Sequence, residues 1–419
     1  VSQAALDHGA LAALLGQPGV RRALAALDVP HAETRLVGGC VRDALLGSPS
    51  ADIDLATTLL PDAVMDAARK AQGLKAVPTG IEHGTITLVT EDGPIEVTTL
   101  REDVETDGRH AVVRFGADFA RDAERRDFTV NALSLGADGR LHDTVGGLAD
   151  LEAGRVRFIG DPGTRIREDA LRILRFFRFH ARFGAGPPDD AALAACVAAR
   201  DALDRLSRER VRAELLKLLA ARGGTQMVAI LSATGLLQRI TGGAAELGRL
   251  NRAVAAALSP AMRLAALSVS GRHDADRLRD RLRLSKQEHA LLSGYADALA
   301  DLHGRADIDP LTARALVAEH GLPLLRETLT ILAGEPRPVL TDQARQALDA
   351  MSEAGGAPHF PLAGADLVVA GLSAGPAIGR GLAAARALWL ERGCPTDAAA
   401  RAELLERALA SARAPSLRA

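Results

Sequence analysis

The sequence is poor in cysteine, aromatic residues and lysine, and it has no long apolar run. Its three cysteines, Cys40, Cys196 and Cys394, are isolated, odd in number and without metal-ligand spacing. They argue against a cysteine-built metal site and point to a reduced, intracellular compartment. No stretch is apolar for the length that spans a bilayer, and no signal peptide is evident, so the expected location is cytoplasmic with no membrane partner. Aromatics are 3% of the 419 residues; Trp389 and Tyr295, each the only one of its kind, are expected to pack rather than to stack on bases. Lysine occurs only at 70, 75, 217 and 286, so nearly all positive charge is arginine. No Walker-type phosphate loop and no Ser/His/Asp nucleophile arrangement is present, and no protein partner is inferred.

What is there is the composition of a soluble globular chain: 47% hydrophobic, 25% charged and a mean hydropathy of +0.06. The length favours two to four units, and the abundance of alanine and leucine favours helix. A net charge of -2 argues against a uniformly basic nucleic-acid coat. Averages hide clusters, however. Between Arg155 and Arg182 eight arginines face three acids, Asp161, Glu168 and Asp169, which makes a local anion-seeking surface.

Residues 1 to 29 read as helix, with Leu11, Leu14, Leu15, Leu24 and Leu27 at helical spacing. From 35 to 145, short β-like runs ("TRLVGG", "ADIDLAT", "GTITLVT", "IEVTTL", "VVRFG") alternate with helical "CVRDALLG" and "PDAVMDAARKAQ". The stretch from Arg140 to Pro162 reads as loop. Beyond it the strands stop: "REDALRILRFFRFHARFG" and "SRERVRAELLKLLAARGG" are strong helices, the second with an N-cap serine and a Gly-Gly stop. From 223 onward the chain reads as helices broken by Gly and Pro without a repeat period, and 353–366 as a loop or subdomain joint. The expected plan is an α/β head over 1–150, a helical neck over 151–222, and a helical body and tail over 223–419.

Chemistry enters with "ADIDLAT". On a strand, Asp52 and Asp54 share a face while Ile53 and Leu55 point into the core. Two carboxylates so close repel unless a cation lies between them, and Mg²⁺, a hard ion often shared with substrate phosphates, fits; the bland alternative is a solvated strand edge. "VGGCVRD" places Gly38 and Gly39 between a strand and a helix, where backbone N–H groups can approach a phosphate closely. Arg42 in the first turn can clamp that phosphate. Glu96, out of phase with Ile95 and Val97, either completes the metal site or faces solvent. Arg126 and Asp127 form a structural ion pair or reach a triphosphate or ribose. His273–Asp274 reads as a solvated helix start rather than a metal dyad.

In "REDALRILRFFRF", Arg172, Arg175 and Arg178 follow Asp169 in steps of three, so on one helix Asp169 and Arg172 are neighbours and Arg178 lies on the opposite side. Asp169 beside Arg172 offers an acceptor next to a fork of donors. Cytosine and adenine both present an amino donor beside a ring-nitrogen acceptor and match it. Uracil and guanine have the reverse polarity, and a mismatched buried polar group costs about 1–3 kcal/mol. The alternative is an i, i+3 ion pair with solvated arginines.

Taken in order, "LVGGCVRDALLG…ADIDLATT", "GTITLVT…IEVTTLREDVETDGRH", "RRDFTVNAL", "REDALRILRFFRF" and "LSRERVRAELLKLL" resemble the class II tRNA nucleotidyltransferases, the CCA-adding enzymes, and their bacterial poly(A) polymerase relatives. The resemblance is dense from about 35 to 220. It implies a polymerase-beta-like nucleotidyltransferase head with a small mixed sheet and helices, followed by an all-α neck, body and tail. It implies an enzyme that adds C, C and A to tRNA from CTP and ATP by two-metal phosphoryl transfer, with poly(A) polymerase and a non-catalytic RNA-binding relative as alternatives. Carried over, Asp52 and Asp54 would hold Mg²⁺, and Gly39 and Arg42 would contact phosphates and sugar. Arg126 and Asp127 would belong to the ribose and triphosphate site. Asp169 and Arg172 would template the base, and Arg175 and Arg178 would complete the pocket. A mobile loop linked to the switch from C to A addition would fall at about 101 to 116.

Overall fold

The structure, a computed structural model, describes residues 6–48, 52–106, 111–353 and 356–414. Two helices, α1 (Gly9–Gly16) and α2 (Pro18–Leu27), take the place of the single helix expected over 1–29. The break is at Gln17 (φ -58, ψ 131), because the residue before a proline is pushed out of the helical region.

Strand β1 (Thr34–Val37) leads through Gly38 into α3 (Gly39–Leu45), and β2 (Ile53–Thr57) leads into α4 (Pro61–Lys70). Then come β3 (Lys75–Gly80), β4 (Thr85–Thr90) and β5 (Gly93–Thr99). A separate hairpin pairs β6 (Arg101–Thr106) with β7 (Ala111–Phe115); it occupies the segment expected to be the mobile loop, whose residues 107–110 lie outside the described residues. After α5 (Phe119–Glu124), β8 (Ser134–Gly136) and β9 (Leu141–His142) complete a seven-stranded sheet ordered β3-β4-β5-β2-β1-β8-β9. All neighbours are antiparallel except β2 and β5. Ile53, Leu55, Ile86, Leu88, Ile95 and Val97 are buried on these central strands, each worth about 1.5–3 kcal/mol relative to exposure. Helices α2, α3 and α4 pack against the sheet.

The stretch expected as loop after Arg140 holds β9 and a short helix, α6 (Gly147–Glu152). Its Gly-Gly start misleads a reading by propensity. Gly147 is there because a Cβ would sit 2.2 Å from the Thr129 carbonyl oxygen, and Asp143 caps the turn by accepting the Gly147 and Leu148 N–H groups at 2.9 Å. Asp150 on this helix is fully buried; Thr129 Oγ1 donates to it at 2.7 Å and Arg157 pairs with it at 2.9 Å.

The neck segment, 151–222, holds α7 (Pro162–Glu168), α8 (Arg172–Phe183), α9 (Asp190–Ala198) and α10 (Arg208–Ala220), and α11 (Gly224–Ala233) follows it within the same compact unit. The expected continuous helix through 167–184 is interrupted: Asp169 has an extended backbone (φ -152, ψ 107), and α8 begins at Arg172. Helix α10 carries the expected cap, with Ser207 Oγ accepting the Arg210 N–H at 3.4 Å. Six of the nine phenylalanines gather between head and neck. Phe128 and Phe158 lie 4.7 Å apart by centroid, with Phe158–Phe176 at 5.8 Å and Phe128–Phe179 at 5.5 Å, while Phe177 and Phe183 contact the same cluster. Such aromatic pairs add about 0.5–1.5 kcal/mol each beyond burial, so the scarce aromatics fix α8 against the head.

The chain divides into two compact units, Val1–Ile240 and Thr241–Ala419; the expected head and neck lie in the first. The second is helical, as expected, apart from a two-residue parallel pairing of Asp307–Ile308 with Val339–Leu340. Trp389 and Tyr295 are buried in it, and Trp389 Nε1 donates to the Pro395 carbonyl at 2.9 Å. Asp274 caps the helix Arg272–Leu282 by accepting the Ser270 N–H at 2.8 Å, while His273 is exposed, in keeping with a helix start.

Candidate active site

The turn between β1 and α3 needs glycine. Gly38 sits at φ 72, ψ -121, and a Cβ there would approach Arg126 Nη1 to 2.7 Å. That backbone region is strained for any residue with a side chain, at a cost of about 1–3 kcal/mol. Gly38→Ala is therefore expected to lower the melting temperature and to displace Arg126; thermal melts check the first effect, and an unchanged melting temperature would contradict it. Gly39 is less constrained, since its Cβ would meet Arg42 Nη2 at 3.6 Å.

Beyond this turn opens a cavity of about 860 Å³, lined by Gly38, Gly39 and Arg42 from the turn and α3, Asp52 just before β2 and Asp54 on it, Arg126 and Asp127, and Asp169, Arg172, Arg175 and Arg178 from the neck. The lining carries nine cationic side chains against five aspartates. Asp122, Glu168 and Glu214 behind the lining pair with Arg126, Arg172 and Arg178, and the cationic surface that the lining itself presents suits a polyanion.

The cations are held in place by a hydrogen-bonded chain across head and neck. Arg182 donates to Asp43 Oδ2 at 3.0 Å, and Asp43 Oδ1 accepts from Arg42 Nε at 2.8 Å. Arg42 also donates to the side chain of Asn131, whose Nδ2 donates to Asp127 Oδ1 at 2.9 Å. Asp127 in turn pairs with Arg175 at 2.7 Å. Burial pushes the Arg42 guanidinium down from its usual range, partly offset by Asp43, and the charges of Arg182 and Arg178 push the same way as burial. Burial would raise the Asp127 carboxyl, but Arg175 and Asn131 hold it below the ordinary range. Arg178 lies 4.0 Å above the Phe179 ring, with Arg42 and Arg175 each 5.2 Å from the same centroid. One aromatic ring thus has three guanidiniums around it.

Some expected relationships change. Arg126 does not pair with Asp127; it pairs with the buried Asp122 at 2.9 Å and donates to the Asn131 carbonyl at 3.3 Å. Asp169 is outside the helix rather than on its face. The helix therefore starts its arginine stripe at Arg172, and Arg172, Arg175, Phe179, Arg182 and Arg178 fall within about 120° of one face. Arg178 lines the same cavity instead of pointing away. Nor do Asp169 and Arg172 pair with each other: Asp169 Oδ2 accepts from Arg210 at 2.7 Å, and Arg172 pairs with Glu168 and donates to the Arg165 carbonyl at 2.9 Å. Asp43, Asn131, Arg182 and Arg210 were not singled out by sequence. Asp43 follows Arg42 directly, which was the one available signal.

The carboxylates sit at the head side of the cavity. Asp54 and Glu96 are register partners across the parallel β2–β5 pair, Asp54 half-buried and Glu96 exposed. Burial, then the neighbouring charge of Glu96, raises the Asp54 carboxyl above the usual carboxylate range; Asp52 adds to this, and Arg126 opposes it. An all-oxygen donor set under mutual repulsion fits a hard divalent cation. A carboxyl raised in the folded state contributes stability below its unfolded value, about 3.9, and loses it as pH rises through the raised value. Asp54→Asn is therefore expected to raise the melting temperature at neutral pH in metal-free buffer, with the gain shrinking toward about pH 4. Melts across that range check it, and a gain independent of pH would contradict it.

Residues 34–157 match the Poly A polymerase head domain, and residues 188–245 match the probable RNA and SrmB-binding site of polymerase A. The chain is 35% identical to the mitochondrial CCA tRNA nucleotidyltransferase 1 of Danio rerio, over 85% of this chain and 83% of that protein. It is 31% identical to the CCA-adding enzyme of Limosilactobacillus fermentum, over 86% and 90% respectively. Among solved structures, the Bacillus stearothermophilus CCA-adding enzyme in complex with CTP superposes with a TM-score of 0.71 at 26% identity, covering 95% of this chain and 97% of that one.

Proposed function

This chain belongs to the family of CCA-adding tRNA nucleotidyltransferases, and on that premise we propose that it adds C, C and A to tRNA 3′ ends from CTP and ATP, releasing pyrophosphate and using no nucleic-acid template. The observation that carries the reading is that a single cavity joins the Asp52 and Asp54 carboxylates to a cationic wall and to the Asp169–Arg172 corner. Those are the parts that phosphoryl transfer to a selected nucleotide requires.

Asp52 and Asp54 would hold Mg²⁺, with Glu96 beside them. Bound there, the metal would acidify the primer hydroxyl and neutralise charge on the phosphates. The protein's own contribution is positioning. Arg42, fixed between Asp43 and Asn131, and Arg126, fixed by Asp122, present donors to the triphosphate and sugar beside Gly39. Asp127 orients Arg175, and Glu214 orients Arg178 at 2.5 Å. Asp169 accepts from the exocyclic amino group of cytosine or adenine while Arg172 donates to the adjacent ring nitrogen. For that, Arg172 must exchange its contact with Glu168 for the base. Uracil and guanine would place acceptor against acceptor and donor against donor.

In this reading residues 1–150 form the catalytic head, 151–222 the neck, and 223–419 a tRNA-binding body and tail that recognises A-form backbone by shape and phosphate contacts. No helix among the described residues is long and apolar enough to cross a membrane. A cytoplasmic location belongs to the same reading, supported by three free, buried thiols. The test is product length: a tRNA lacking its 3′ end, supplied with CTP and ATP, should gain C, C and A and stop. A long A tail instead would assign the chain to the poly(A) polymerase branch, whose head model it matches.

A further inference from the structure

Because Asp169 lies outside α8, helix packing does not aim its side chain. Two contacts do. Oδ1 accepts the Leu171 N–H at 3.0 Å, and Oδ2 accepts from Arg210 Nη2 at 2.7 Å. A carboxylate has roughly four acceptor positions, so two remain for a ligand. Arg210 stands on α10, where Glu214 one turn later pairs with Arg178 of α8 at 2.5 Å. Residues four apart share a helix face. Helix α10 therefore grips the base-facing segment at two points, Asp169 ahead of α8 and Arg178 within it.

We propose that Arg210 is a specificity-determining positioning residue, which fixes the Asp169 carboxylate so that its free lone pairs accept an exocyclic amino group and nothing else. The proposal rests on the reading of Asp169 as the acceptor for C and A. Without Arg210, the carboxylate is held by one backbone N–H and can rotate. It still accepts an amino group in some orientations, but it no longer presents a fixed acceptor against the carbonyl of uracil or guanine. The arginine thus acts on the choice of nucleotide more than on the transfer step.

Single-turnover addition to tRNA lacking its 3′ end, with CTP and UTP compared as separate substrates, tests this in the full chain; ATP against GTP on tRNA ending in C-C repeats the comparison. Arg210→Ala should lower the CTP-over-UTP preference by about tenfold, the effect of losing one orienting hydrogen bond. Arg210→Lys, which keeps a donor and the charge, should restore part of it. The Asp169→Ala, Arg210→Ala double variant should be no less selective than Asp169→Ala alone, because the arginine acts through the aspartate. An unchanged preference in Arg210→Ala, or an equal fall for both nucleotides, overturns the proposal while leaving Asp169 as the base reader. An unchanged preference in Asp169→Ala would instead overturn the base reading itself. Melting temperatures accompany each variant, and if Arg210→Ala does not fold, Arg210→Gln and Arg210→Lys carry the same comparison.

Discussion

Asp54→Ala is expected to slow nucleotide addition by at least about a thousandfold while leaving tRNA affinity unchanged. Asp54 sits on β2 in the head. It is half-buried on a central strand, its partner in register is Glu96, and its carboxyl is raised by burial and by that neighbour. In metal-free water this arrangement costs stability, and under the proposed function a bound cation would offset that cost. Under the same proposed function, removing the Asp54 carboxylate would take away a metal ligand where charge develops at the reacting phosphorus, an effect confined to the transfer step. Rapid-quench addition assays and filter binding of tRNA separate the two quantities. Equal losses in rate and in affinity would show that the residue supports structure and not chemistry.

The second large effect concerns choice rather than rate. Asp169→Ala should remove the acceptor for the amino group of C or A and with it the mismatch that rejects U and G. The preference for CTP over UTP is expected to fall by about a hundredfold or more, since a site built to hydrogen-bond one polar group discriminates far better than an apolar one. Addition with CTP should persist at a reduced rate, because Arg42 and Arg126, which the proposed function assigns to the phosphates, still line the cavity. Competition assays with mixed nucleotides, read by sequencing the products, give the ratio directly. A variant that still incorporates only C and A would place base reading elsewhere.

Much of this site is local in sequence, and that part was legible. Alternation alone predicts that Asp52 and Asp54 share a side, and both line the cavity although β2 begins only at Ile53; the glycine turn with Arg42 lies within the same short stretch. The break before α8 was not legible: "REDALRILR" has unbroken helical periodicity, and nothing in the pattern shows the extended backbone at Asp169. The supporting network was hidden for a different reason. Arg182 and Asp43 are 139 residues apart, Arg42 and Asn131 are 89 apart, and Arg210 and Asp169 are 41 apart. The first pair depends on how α8 docks on the head through the phenylalanine cluster, the second on the fold of the head itself and the third on the packing of α10 beside α8, and none follows from a local period. Strands β8 and β9 and helix α6 were missed because they are very short and glycine-flanked, below the length at which periodicity can be read.

The most direct measurement is a crystal structure of the chain with CTP and Mg²⁺. The account predicts triphosphate and metal at Asp52 and Asp54, and the cytosine amino group donating to Asp169 with Arg172 donating to the ring nitrogen. Cytosine bound out of reach of Asp169 and Arg172, or a metal held away from Asp52 and Asp54, would contradict it.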